Sequence, residues 1–244
     1  MKKKLIRTIR TPVVALVVLV VGIVVGGVLL ANILVKTAVE KAGEQTLSVP
    51  VRIHKAKASL LSGSVNLQKI RVANPEGYQG PALLTLTSVD VAADAGSLLR
   101  DKILIRTMHL DGMEIFVEQN GLKNNLYEVI EPLRRSHEPT GKALIIDKLT
   151  IGDIVVHVAV PSLADPTQPR TMDLKVAPIT MTDLGRDERI DTKILISKVV
   201  LAVAAGIAEQ GGGVLPKETI GEITGVLDKA IDLGRIIFGG KKDR

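Results

Sequence analysis

The sequence predicts a mainly β protein with added α-helix. It predicts an N-terminal transmembrane helix, an antiparallel β-sheet and C-terminal amphipathic helices. Three observations predict this. Val13 to Val35 holds twenty-three residues with no charge and one polar side chain, Asn32. After Pro50 the apolar residues recur with period two, the signature of half-buried strands. From Ile190 onward the spacing becomes helical.

A helix rises about 1.5 Å per residue, so the first stretch is long enough to cross a bilayer core of about 30 Å. Lys2, Lys3, Lys4, Arg7 and Arg10 precede it with no acid, whereas Lys36, Glu40, Lys41 and Glu44 balance after it. Positive residues stay in the cytoplasm, so the N-terminus is expected inside and the bulk of the chain outside. A cleaved signal peptide would carry a shorter apolar run and a small-residue cleavage site, and Ala31-Asn32-Ile33 is a poor one. The expected organisation is a basic cytoplasmic tail (1–12), a transmembrane anchor (13–35) and a juxtamembrane helix (36–48). A β-sheet domain (49–182) and a helical region (183–244) follow. Gly22 and Gly26 form a GxxxG pair, a candidate helix-packing site.

Composition removes several function classes. Without the five basic residues of the tail, the net charge of +6 falls to +1. The basic balance is therefore a topology signal, and no nucleic-acid partner is expected. The chain has no Cys, hence no disulfide or thiolate metal site. Trp is absent, with two Phe and two Tyr, so recognition by aromatic stacking has few side chains to use.

Along the chain, Pro50 ends any helix that precedes it. Val51 to Ser59 and Ser64 to Val72 read as strands, and Asn74-Pro75-Glu76-Gly77 reads as a turn. Leu83 to Asp94 alternates but slips phase: Leu84 and Leu86 share one face, Val89 and Val91 the other. A bulge near Thr87-Ser88 would explain it. Asp111-Gly112 has the composition of a two-residue hairpin turn. On that reading Leu110 faces Met113, Met108 faces Ile115 and Arg106 faces Val117, with His109 and Glu114 on the polar face. The pattern recurs forty-one residues later. Ile105, Met108, Leu110, Ile115 and Val117 correspond to Ile146, Leu149, Ile151, Val156 and Val158, with Gly152-Asp153 as the second turn. Nine or ten strands at ~4.8 Å would give a sheet some 45 Å long.

Between the copies, Leu126, Val129, Ile130 and Leu133 have helical spacing behind an Asn cap. Thr171 to Thr182 reads as one or two strands, and Ile190 to Ala208 as an apolar helix. After Gly211-Gly212-Gly213 and Pro216, a last helix carries an apolar stripe through Ile220, Ile223 and Leu227 to Ile237. It must bury one face.

Catalytic chemistry needs convergent groups. His54, His109, His137 and His157 are scattered, and no zinc-protease, phosphate-loop or nucleophile-elbow motif occurs. No catalytic residue, metal site or cofactor is expected, and the chain is not read as an enzyme.

The segments SLLSGSVNLQKIRVANPEGY (59–78), LLTLTSVDVAADAGSLL (83–99), ILIRTMHLDGMEIFVEQNG (103–121) and NNLYEVI (124–130) resemble the N-terminal region of AsmA-like proteins of bacterial envelopes. Those proteins are distantly TamB-like and similar to bridge-like lipid-transfer proteins. The resemblance covers about a third of the chain firmly. It implies a single-pass bacterial inner-membrane protein, with its bulk in the periplasm, and an elongated, curled antiparallel β-sheet whose apolar face meets phospholipid or another acyl-chain lipid. That would serve envelope maintenance, outer-membrane biogenesis or lipid transport. The aliphatic hairpin faces supply the candidate lipid-contacting residues: Leu84, Leu86, Met108, Leu110, Ile115, Val117, Leu149, Ile151 and Val156. The alternative is a non-enzymatic structural or interaction scaffold of the envelope. Its apolar face would be closed by the chain's own helices, and its partners would be envelope proteins.

Overall fold

The computed structural model describes residues 30–120, 123–134, 138–139, 141–160, 170–212 and 217–229. Val13 to Leu29, with Gly22 and Gly26, lie outside them, as do the last residues of the C-terminal stripe. Among the described residues no helix is long and apolar enough to cross a membrane.

Helix α1 occupies residues 30–47. It ends at Ser48, whose φ of 57° is left-handed and whose N–H still donates to the Glu44 carbonyl at 3.0 Å. Pro50 then forbids further helix, and the chain enters the sheet. The strands are β1 (Val51–Ser59), β2 (Ser64–Val72), β3 (Leu84–Ala93), β4 (Lys102–Asn120), β5 (Lys123–Asn124), β6 (Ala143–Ile151), β7 (Ile154–Val160), β8 (Arg170–Val176) and β9 (Ile179–Leu184). Helix α2 (Asn125–Ile130) follows β5, and α3 (Thr192–Gln210) and α4 (Lys217–Lys229) close the described chain.

The sheet is mixed and does not close. β1 to β4 pair in sequence, antiparallel. β4 then pairs parallel with β6 along its first half and with β7 along its second. β9 and β8 add antiparallel to β6 and β7. β6 with β7, and β8 with β9, are thus each one long strand interrupted in the middle. Nine strands fill six lateral positions, so the sheet is about 24 Å across, roughly half the expected width.

Two expectations are corrected here. The sheet is not wholly antiparallel. Asp111-Gly112 is not a hairpin turn, because it lies inside the continuous nineteen-residue strand β4. Leu110 pairs with Val89 and Ile151, not Met113, and Met108 pairs with Val91 and Leu149, not Ile115. The Gly152-Asp153 site likewise separates two collinear strands. The forty-one-residue correspondence is a parallel ladder: Ile105, Met108, Leu110, Ile115 and Val117 lie beside Ile146, Leu149, Ile151, Val156 and Val158. A parallel neighbour requires a crossover. Residues 121–142, with α2, supply it.

A crease crosses all six positions at one level, through His54, Lys69, Thr87, Gly112, Asp153 and Ala177. Lys69, Gly112 and Asp153 have φ of 52°, 66° and 45°. Such a residue shifts the two-residue alternation by one. Since every strand shifts at the same level, the pairing continues and the same face stays buried. Ile53 and Ala58, Leu86 and Ala93, and Met113 and Leu110 are buried on opposite sides of the crease. The slip read at Thr87-Ser88 falls on this line. The ladder between β3 and β4 itself stays in step there and shifts between Ala92 and Ala93. Glycine is needed at position 112, because a Cβ there would lie 2.4 Å from Thr87 Oγ1.

The helices cover the buried face. α1 runs antiparallel to β1 and caps that strand's free edge: Ala58 N–H donates to Asn32 Oδ1 at 2.6 Å, and Ile53 N–H to Glu40 Oε1 at 2.7 Å. The expected juxtamembrane helix at 36–48 is therefore part of a longer helix reaching back into the expected anchor. α3 begins at Asp191, whose carboxylate accepts from Ile194 N–H at 3.0 Å. Where the fold class expects amphipathic helices it is not amphipathic, and as the apolar run Ile190 to Ala208 predicts, Leu195, Lys198, Leu201, Ala202, Val203 and Ala204 are buried around its circumference. It packs on β8, β9, α2 and α4.

Candidate functional site

The apolar face divides into two halves. Under α3, the β6–β9 half is filled: Ile146, Leu149, Ile151 and Val156 are fully buried. Gly206 lets α3 come close at the β8–β9 break, where a Cβ would sit 3.1 Å from Val176 Cγ1. Over β2 to β4 the packing is incomplete. A cavity of about 180 Å³ lies between the sheet, α1, α2 and α3.

Three surfaces build this cavity. Leu84, Leu86, Val89, Met108, Leu110 and Ile115 form its floor. Val39, Gly43 and Leu47 of α1 form one wall. Ile196, Val199, Val200 and Val203 of α3 form the roof, and Leu126 and Val129 of α2 close one end. Among the described residues no ionisable or hydrogen-bonding side chain lines it. Leu84, Val89, Met108, Val199 and Val200 are only half-buried, so the cavity communicates with the surface. Its volume compares with the ~150 Å³ cavities that stay dry and bind benzene. That volume has room for a short apolar segment and not for a whole lipid chain.

The structure separates the nine sequence-predicted contact residues. Leu84, Leu86, Met108, Leu110 and Ile115 come together in the cavity floor. Val117 on β4 and Leu149, Ile151 and Val156 on β6 and β7 are not among its lining residues and are buried. Those four lie in the hydrophobic core cluster beneath the helices. The helical roof and walls were missed. A usable signal existed: Ile190 to Ala208 is apolar on all sides, and such a helix must lie between apolar surfaces.

The end closed by α2 is tied by polar contacts. Buried Asn125 donates from Nδ2 to Asn74 Oδ1 at 2.8 Å and to the Phe116 carbonyl at 2.7 Å, while its Oδ1 accepts from Glu118 N–H at 2.9 Å. Glu118 in turn accepts from Gly80 N–H at 2.8 Å. Asn124 caps α2, accepting from Tyr127 N–H at 2.7 Å.

Among the described residues the outer face of the sheet is mostly polar, with a shallow recess beside Gly80, Phe116 and His157. His109 bonds Thr150, and His157 Nδ1 lies 2.8 Å from Asp173 Oδ1 and stacks on Phe116 at 4.9 Å between centroids. Among the described residues no three His, Asp or Glu side chains are placed to hold a metal ion. A polar recess beside Asp101, Lys142 and Arg186 is occupied by its own contacts, since Arg186 pairs with Asp147 at 2.6 Å and with Asp183. No family model, curated protein or solved structure matches the chain.

Proposed function

We propose that this is a membrane-anchored, non-enzymatic protein of the bacterial envelope, AsmA-like in character. It takes lipid acyl chains against the β2–β4 half of its sheet, in envelope maintenance or lipid transport. The observation that carries this reading is the cavity. Among the described residues it is lined by aliphatic and methionine side chains, open at half-buried Val89 and Met108, and roofed by α3. Each methylene moved from water into such a site gains roughly 0.8 kcal/mol. The uncharged Val13–Val35 stretch and its basic flank support the anchor and its orientation.

Photocrosslinking tests the reading. A benzophenone amino acid replaces Leu84 or Val200 in the full chain, in cells fed radiolabelled acetate. The outward-facing Thr85 serves as the control position. Lipid crosslinked at 84 and 200 but not at 85 is expected. Equal or absent lipid labelling at all three positions would overturn the reading.

A second reading rests on the filled half. Ile146, Leu149 and Ile151 make an ordinary helix-covered core, as a scaffold with protein partners would have. Protein crosslinks without lipid at positions 84 and 200 would favour it.

A further inference from the structure

One end of the molecule exposes large apolar side chains that its fold does not need. Asn32 meets Ala58, and Gly63 lies against Ala93, so the N-terminal turn of α1, the β1–β2 turn and the β3–β4 connection converge there. Leu30, Ile33 and Leu34 are exposed on α1, Leu60 and Leu61 at the first turn, and Leu99 at the second. Leu61 is 97% exposed and Leu99 92%. Solvent-facing turns are normally polar, and gathered exposed apolar groups mark a contact surface. The same end is the looser end of the buried face, where Val65, Val91 and Ile103 are only half-buried.

We infer that this end docks on a lipid bilayer, with Leu60-Leu61 and Leu99 entering the interface so that the open side of the apolar face meets the membrane. The inference rests on the proposed lipid-binding reading. Two further observations select a bilayer as the occupant. The chain before α1, Val13 to Leu29, is uncharged and wholly apolar, and α1 delivers it to this end. Lys57, Arg100, Lys102 and Lys142 fringe the leucines as exposed cations, against the exposed acids Asp90, Asp101 and Asp187. Apolar tips within a basic fringe suit anionic headgroups.

The absence of cysteine makes a direct test possible. The full chain carries Leu61→Cys, Leu99→Cys or, as a control at the far turn, Glu76→Cys. Each is labelled with an environment-sensitive dye and reconstituted in phosphatidylethanolamine–phosphatidylglycerol vesicles. The expected result is blue-shifted emission at 61 and 99, quenched by shallow doxyl lipids, with aqueous emission at 76. Aqueous emission at all three positions overturns the inference. So does a blue shift at 61 and 99 that persists without vesicles, which assigns the leucines to a second copy. These labels read contact of the turns and not occupancy of the cavity. A cavity without acyl chain therefore leaves their result standing, and crosslinking at 84 and 200 stands if the turns stay wet.

Discussion

The two halves of one sheet face, built from the same aliphatic residues, have opposite packing. Leu149 is 0% exposed beneath α3, while its parallel neighbour Met108 lines a cavity and is half-buried. In the next such pair both side chains are buried, but only Leu110 lines the cavity and Ile151 does not. The strand residues are near-equivalent, so the difference lies in the helices. α3 packs on β8 and β9, and its far side overhangs β3 and β4 without filling the space above them. A composition can therefore be right for both a core and a groove, and only the covering element decides.

The sharpest way to break this comparison is a charge at each member of one pair. Leu149→Asp places a carboxylate where no water or partner reaches it. It is expected to cost more than about 4 kcal/mol, most of the margin of a domain at the lower end of the ordinary ~5–15 kcal/mol. Met108→Asp can turn toward the opening and should cost below about 1.5 kcal/mol. Thermal unfolding followed by circular dichroism reads both. Similar losses at the two positions would mean that the halves are equally closed.

A smaller effect is expected at the margin of the filled half. Lys198 on α3 is 0% exposed, with Nζ 2.7 Å from Glu188 Oε1. Glu188→Ala strands the ammonium in an apolar setting. Removing one partner of a buried pair costs ~3–5 kcal/mol, and about 2 kcal/mol is expected here because Glu188 itself keeps contact with water. Lys198→Met should recover most of that loss in the Glu188→Ala background. If the double variant melts no higher than the single one, the pair is not what holds this end of α3.

Much of the fold was legible because period two and period 3.6 are local. The strand segments, the α2 cap at Asn124 and the long apolar helix all follow from them. The topology was not legible, for a definite reason. Around Asp111-Gly112, a hairpin and a creased straight strand give the same sequence pattern. Leu110 and Met113 share a face in both, since the hairpin folds back and the crease shifts the alternation by one. Only the partners differ, and they are non-local. The forty-one-residue echo was the one signal of those partners. Copies in equal register can lie side by side in parallel, and Ile105 beside Ile146 is that arrangement. The candidate site was half legible for the same reason. The floor at Leu84 and Met108 follows from alternation, while the roof at Val199 and Val200 depends on where α3 settles.

The smallest expected change in stability comes from filling the open half. Val200 projects into a cavity of about 180 Å³ and is half-buried. Val200→Phe adds a ring's volume where space exists. It should therefore escape the overpacking cost of ~1–3 kcal/mol seen in tight cores and leave stability unchanged or raised by up to about 1 kcal/mol. The same ring removes the room for an apolar guest. Titration with a fluorescent polyene fatty acid should show affinity weakened at least about tenfold, a change of about 1.4 kcal/mol. In the filled half, Ala204→Phe has no such space and should destabilise strongly. A Val200→Phe protein that melts normally and binds the fatty acid as well as wild type would place any acyl site elsewhere on the sheet. One that melts far lower would show that the space above β3 and β4 is already taken.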